Sequence, residues 1–244
     1  MMRIAIISDI HSNIEALSEV LRVADQQNLD RVVSLGDIVG YGASPNPCCE
    51  LVRSTSEVTL LGNHDAAVAG RMDYSFYYEA ARRALDWSAS VLSEENMTWL
   101  QSLPYTYRID DVGFCHGSPI DPRKYSYIFA LQQARELVPG VADLAEVTFI
   151  GHSHLCKAFA IGSSEVNDVV AQKFAIRRGY KYIISVGSVG QPRDYDNRAC
   201  FVICDTGART VEYLRVDYDI KASAQKIFAA NLPPNFGKRL FLGV

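Results

Sequence analysis

The first 62 residues alternate between two hydrophobic periods. Residues 3–8, 31–36 and 57–62 are short apolar runs, each ending at a turn signal, as strands buried on both faces of a parallel sheet do. Between the first two, Ile14, Leu17, Leu21 and Ala24 recur at steps of three and four within 13–27. That spacing makes one apolar face of a helix, with Ser12 or Asn13 placed to cap it. Residues 47–54 read as a shorter helix with proline near its first turn. This βαβαβ rhythm implies a parallel sheet with helical crossovers.

Beyond residue 72 the pattern shifts from helices to strands. A helix is expected over 73–92, then one capped by Ser93 and ending near Leu100, before Pro104. Residues 105–110 and 112–116 read as a hairpin, and 130–138 as a helix stopped by Pro139-Gly140. Strands are expected at 147–151, 157–162, 182–187, 198–205 and 209–216, the last two flanking a Thr206-Gly207 turn. A final helix follows at 219–230, and Pro233-Pro234 opens a C-terminal tail. Alternation first and strands later suggest two stacked sheets inside helical layers. No internal repeat or linker interrupts the chain, so residues 1–244 are expected to form a single domain.

Composition narrows the function classes. The chain has 244 residues, 24 bases against 28 acids and a formal charge of −4, and its basic runs are only pairs such as Arg82-Arg83. An extended nucleic-acid groove needs clustered lysine and arginine, so nucleic acid is not the expected partner. No apolar run approaches the roughly 18 residues that span a bilayer, and the first strand is broken at once by Asp9 and His11. A cytoplasmic protein is therefore expected. Its six cysteines, none in a CxxC pair, are expected to be reduced and buried.

All five histidines, His11, His64, His116, His152 and His154, stand at or just past the end of an expected strand. Carboxyl ends of strands in an α/β sheet converge on one crevice, where ligands bind. Asp9, Asp37 and Asn63 occupy the same kind of position. Singly, each could be a helix cap, a turn residue or a solvated loop side chain. Jointly, imidazoles with carboxylates form a donor set for first-row divalent metals, and Asp37, with two oxygens, could bridge two ions.

The series Asp9-x-His11, Gly36-Asp37, Gly62-Asn63-His64-Asp65, His116 and Gly151-His152-x-His154 resembles the calcineurin-like metallophosphoesterase superfamily. The segments 36–42, His116-Gly117-Ser118-Pro119 and 187–194 resemble its small prokaryotic phosphodiesterase-like branch. The resemblance implies an α/β fold, a four-layer αββα sandwich of two mixed sheets flanked by helices. It implies two divalent ions, manganese foremost with iron, zinc, nickel or magnesium open. Asp9, His11, Asp37 and His154 would hold one, and Asp37, Asn63, His116 and His152 the other. The implied activity is hydrolysis of a small-molecule phosphomonoester or phosphodiester by in-line attack of a metal-bridging hydroxide. His64 matches the family's non-ligand histidine near the leaving group, and Arg193 is a provisional substrate ligand. The chain departs from phosphoprotein phosphatases at Gly40, Tyr41 and Asp65, which leaves open what orients His64. A nuclease of the same superfamily and a non-catalytic scaffold are the alternatives; the complete motif set ranks the scaffold low. Oligomeric state is open.

Overall fold

A computed structural model describes residues 1–244. Its first sheet grows from the expected βαβαβ unit. β1 (Arg3–Ile7), β2 (Arg31–Ser34) and β3 (Val58–Thr59) run parallel. They are joined through α1 (Ile14–Asp25) and α2 (Pro45–Thr55). Asn13 caps α1, its side chain accepting from the Ala16 N–H at 3.1 Å. A short, wholly buried α3 (Asn63–Val68) follows β3.

The middle of the chain supplies α4 (Glu79–Val91) and α5 (Glu94–Ser102). After them come the hairpin β4 (Thr106–Ile109) and β5 (Val112–Cys115), then α6 (Leu131–Glu136) and β6 (Val147–Ile150). The last third comprises β7 (Cys156–Ile161), β8 (Val166–Asp168), β9 (Lys173–Ala175), β10 (Lys181–Val186), β11 (Ala199–Asp205) and β12 (Thr210–Val216). The chain finishes with α7 (Ile220–Ala229) and α8 (Pro234–Leu240).

One sheet has the order β3-β2-β1-β11-β12-β9 and the other β4-β5-β6-β10-β7-β8. Each is mixed: β5, β6 and β10 run parallel in the second sheet, and antiparallel strands complete both. Side chains alternate between two hydrophobic layers, as the two-residue period of a strand requires. Ile4, Ile6, Val202, Phe114, Phe149 and Ile184 fill the space between the sheets. Ala5, Ile7, Phe201 and Ile203 face the opposite way, onto Leu17 and Val20 of α1 and Val52 of α2. On the far side Phe159, Ile161 and Ile183 pack against Ala134 and Leu137. The stack is helices, sheet, sheet, helix. Each fully buried Ile or Phe contributes roughly 1.5–3 kcal/mol.

Several boundaries differ from expectation. The helix expected from residue 73 starts at Glu79, because Asp73 instead takes the Ser75 N–H at 2.9 Å and makes a local turn. The tail after Pro233 forms α8, with the prolines at its start. Strands β8 and β9 were not anticipated. They are three-residue edge strands, mostly exposed, and carry little hydrophobic signal.

Candidate metal centre

All six parallel strands end at the same edge of the sandwich, and the loops leaving them carry the chemistry. Asp9 and His11 follow β1, Asp37 follows β2, Asn63 and His64 open α3 after β3, His116 follows β5 and His152 follows β6. The loop after β10 carries Gln191 and Arg193. Loop is tied to loop by main chain: Asp9 N–H donates to Gly36, His11 N–H to Asp37, Ser12 N–H to Ile38 and Gly190 N–H to Asp9.

Five of the seven expected ligands hold left-handed backbone: Asp9, His11, Asp37, His152 and His154, with φ between 48° and 66°. Such conformations cost an L-residue roughly 1–2 kcal/mol and concentrate where a site dictates them. The turns let consecutive residues aim at one point. Gly36, at φ 100°, brings the β2 loop against the Gly62 backbone, where a Cβ would overlap.

The seven expected ligands and His64 are all buried, and six of the ligands converge with His64 in three overlapping groups: Asp9 with His11 and His154, His11 with Asp37 and His64, and Asp37 with His116 and His152. The imidazole tautomers are fixed from behind. His11 Nδ1 lies 3.2 Å from the Val39 carbonyl, His116 Nδ1 3.0 Å from Leu35 and His154 Nδ1 2.6 Å from Gln191. A carbonyl only accepts, so each Nδ1 carries a proton and each Nε2 faces inward, as a bare lone pair in the neutral His11 and His154. His11 Nε2 and His154 Nε2 then face each other at 3.1 Å. His116 Nε2 stands 3.1 Å from Asn63 Oδ1, and Asn63 spends its amide N–H on the Tyr77 hydroxyl at 2.8 Å.

The carboxylates complete this inward set. Asp37 Oδ2 is 3.3 Å from His116 Nε2 and 3.7 Å from His11 Nε2, while its Oδ1 accepts from the His64 N–H at 2.8 Å. Asp9 Oδ2 accepts from the His152 N–H at 3.0 Å, but its buried Oδ1, 3.3 Å from His154 Nε2, has no hydrogen-bond donor. Lone pairs pointed at lone pairs and an orphaned carboxylate oxygen fit cations at this place. The donor set suits divalent cations.

Burial dominates the electrostatics. It raises Asp9 to about 7, against the pull of His116. It holds His11 and His154 well below the ordinary histidine value, and lowers His152 to about 3. His116 is also opposed by burial, but the adjacent Asp37 carboxylate prevails and lifts it to about 9. Burial lowers His64 to about 4 even with Asp37 nearby, so its ring is neutral at pH 7.

What positions His64 is now visible. Asp65 does not touch the ring; its carboxylate takes the N–H groups of Ile38, Val39 and Gly62. Tyr41 and His11 flank the imidazole at centroid distances of 4.4 and 4.8 Å. Gly40 leaves the room: a Cβ there would overlap His64 Nδ1. Arg193 lies over the Tyr41 ring at 5.7 Å and donates to Gln191 Oε1 at 2.9 Å. It is not paired with Asp194 or Asp196, which bind Arg215 and Arg198 instead. Sequence reasoning overlooked Tyr127, stacked 3.8 Å from the His152 ring, and Tyr77, which orients Asn63. A lone tyrosine in a loop gives no periodic signal. Gln191 was overlooked for the same reason.

Residues 2–209 match the model of the calcineurin-like phosphoesterase superfamily domain. The chain belongs to this superfamily. It is 38% identical, over 98% of both chains, to the uncharacterized protein MJ0912 of Methanocaldococcus jannaschii. Among solved structures it is similar to a metallophosphoesterase from Sphaerobacter thermophilus, with 37% identity, a TM-score of 0.85 and coverage of 100% and 99% of the two chains. A hypothetical protein, PH1004 of Pyrococcus horikoshii, shares the fold at 19% identity, with a TM-score of 0.79 and the same coverage. The family is dimetal-dependent, and the three donor groups are candidate metal-binding clusters. The two mixed sheets flanked by helices agree with the architecture expected from the motifs. No helix is long and apolar enough to cross a membrane.

Proposed function

We propose that the chain hydrolyses phosphodiesters or phosphomonoesters of small molecules as a single catalytic domain. The observation that carries this reading is the set of inward-turned lone pairs, above all the two facing imidazole nitrogens of His11 and His154. Asp9, His11, Asp37 and His154 would hold one divalent ion, and Asp37, Asn63, His116 and His152 the other. Manganese is the first candidate. Bound there, the ions would make water nucleophilic at neutral pH and offset charge on the phosphoryl oxygens.

The chain's own residues then orient and finish the reaction. Arg193 approaches the donor cluster with a planar guanidinium suited to two phosphoryl oxygens. His64, beside His11 and Asp37, would give a proton to the departing oxygen. Because burial keeps its ring neutral, the proton is expected to arrive with the substrate, whose negative charge favours imidazolium. The buried Tyr41 packs beside His64 and the half-exposed Tyr127 stacks on His152, covering one face of each ring.

A formal charge of −4 favours a small substrate over a nucleic acid track. Six unbridged cysteines suit a reducing, cytoplasmic setting. The test uses protein loaded with manganese to two equivalents by elemental analysis. Hydrolysis of bis(p-nitrophenyl) phosphate is expected, with chelation abolishing it and manganese restoring it. Rates with p-nitrophenyl phosphate and a single-stranded oligonucleotide then rank the ester classes. A fully loaded protein inert toward all three would refute the proposal.

A further inference from the structure

Single exposed aromatic side chains are ordinary on a protein surface, and Tyr195, 87% exposed, is one of them. Tyr127 differs in what lies beneath it. Its ring stacks on the His152 imidazole at 3.8 Å, with the planes 15° apart, so one face lies on an expected metal ligand. Phe129 meets it edge-on at 6.1 Å. Tyr127 is nevertheless 46% exposed, which leaves the outer face of the ring to solvent. No guanidinium covers that face, because the arginines that lie over rings sit on Trp99, Tyr105 and Tyr41.

The loop that carries Tyr127 is anchored on both sides of it. Tyr125, left-handed at φ 51°, is buried, and its hydroxyl donates to the Leu61 carbonyl at 3.3 Å. Ser118 N–H donates to the Ser126 carbonyl at 2.9 Å, and a Cβ at Gly117 would overlap the Tyr125 backbone. On the other side Ile128 joins the buried cluster of Phe159 and Ile183. Gln133 Oε1 then accepts the N–H groups of Phe129 and Ala130 at 2.8 and 2.9 Å. A ring held this firmly has already lost the freedom that binding otherwise costs, so contact with its free face comes at little entropy. Covering His152 needs only the inner face, and an aliphatic side chain would do that.

We propose that the outer face of Tyr127 is a stacking platform beside the metal centre, and that it selects phosphate esters carrying a planar heteroaromatic ring. This rests on the phosphoesterase reading above. A ring on that face lies two stacking layers out from the His152 imidazole, whereas the phosphate meets the ions that His152 would help to hold. Ring and phosphate are therefore separated by a spacer, of the sugar kind that joins them in a nucleotide, and not bonded directly as in an aryl phosphate. The substrate class is the nucleoside phosphates and their esters. Stacking reads a π-face and not a hydrogen-bonding edge, so the platform distinguishes a base from no base and tolerates different bases.

Calorimetric titration of manganese-loaded protein with phosphonates, whose P–C bond is not hydrolysed, tests this. One probe is the phosphonate analogue of adenosine monophosphate; the other is the ribose phosphonate that lacks the base. Wild type is expected to bind the first at least about fivefold more tightly, the lower end of what one stacked base contributes. Tyr127→Leu keeps His152 covered but offers no π-face. It should erase most of the difference while manganese content and affinity for the ribose phosphonate stay unchanged. Tyr127→Phe should keep the preference, since the ring and not the hydroxyl makes the stack. Benzylphosphonate should gain little over ethylphosphonate, because its ring is too close to phosphorus to reach the platform.

Wild type that shows no preference for the base, or binds neither probe, overturns the assignment. So does Tyr127→Leu that retains the preference, or Tyr127→Phe that loses it. Tyr127→Leu that weakens both probes alike would make Tyr127 a prop for His152 and overturn it too. A benzylphosphonate gain as large as that of the nucleotide analogue would overturn the spacer. Hydrolysis of bis(p-nitrophenyl) phosphate by wild type judges the underlying phosphoesterase reading separately, since the titrations need no turnover.

Discussion

The two ends of the parallel strands solve the same geometric problem at different free energies. At the end away from the metal centre, left-handed residues are Asn28, Asp110 and Arg209. Asn28 and Asp110 are exposed and Arg209 is half-buried, so water or an ion pair satisfies their polar groups. Around the metal centre Asp9, His11, Ser12, Asp37, Tyr41, Tyr125, His152 and His154 are left-handed and buried, while the left-handed Asp121 and Tyr195, elsewhere on the loops after β5 and β10, are exposed. At the centre, backbone strain and polar burial fall on the same residues. The first end only reverses the chain, whereas the second stores an arrangement that is unfavourable until cations enter.

The sharpest way to break that contrast is Asp37→Ala. Asp37 belongs to two of the three donor groups and takes the His64 N–H. Its loss should empty both positions and lower activity by at least about 10⁴-fold, a modest share of the acceleration enzymes achieve. Elemental analysis still finding two ions in this variant would sink the bridging role. His64→Ala comes next. His64 belongs to one donor group, but Asp37 keeps its other partners and the residue-64 N–H without the ring, so metal content should hold while turnover falls by roughly 10² to 10⁴-fold. Full turnover would remove His64 from the chemistry.

The same contrast explains what the sequence disclosed. The donors were legible because metal chemistry needs rare residue types at strand ends, and five histidines stand out in 244 residues. The central strands were legible because both faces are buried. β8 and β9 were not, since short exposed edge strands are held by pairing to β7 and β12 rather than by their own pattern. α8 hid behind Pro233-Pro234, a stop signal when read forward and a helix start when Phe236 and Leu240 find the Tyr41 cluster. The Phe236 contact with Tyr41 and the stack of Tyr127 on His152 depend on tertiary docking. Local spacing could not reveal them.

A smaller effect sharpens the electrostatic half of the comparison. In metal-free protein Asp9 titrates near 7 and His116 near 9, both raised above their ordinary values, so both hold protons that a cation must displace. Affinity therefore rises with pH: it should gain up to about a hundredfold between pH 6 and 7, and about tenfold per unit from there to pH 8. The contribution of His116 to the stability of the metal-free chain runs the other way. It is complete below about 6.5 and is lost as pH rises through about 9. Manganese affinity that is flat from pH 6 to 8 would show that neither group is protonated in the empty site.

The smallest effect belongs to the ordinary end. Asp110 opens the two-residue turn between β4 and β5 with φ 51°, and its side chain is exposed and makes no hydrogen bond. Glycine is the preferred residue where only the first turn position is left-handed. Asp110→Gly relieves about 1 kcal/mol of backbone strain but gives back roughly 0.4–1 kcal/mol through a more flexible unfolded chain. The net change in unfolding free energy should lie between zero and a gain of about 0.5 kcal/mol, because the Arg108 contact is to the Asp110 carbonyl and survives. Metal affinity should not move. A loss beyond about 1 kcal/mol in urea unfolding would mean that this turn, too, depends on its side chain, and the distinction between the two ends would no longer hold.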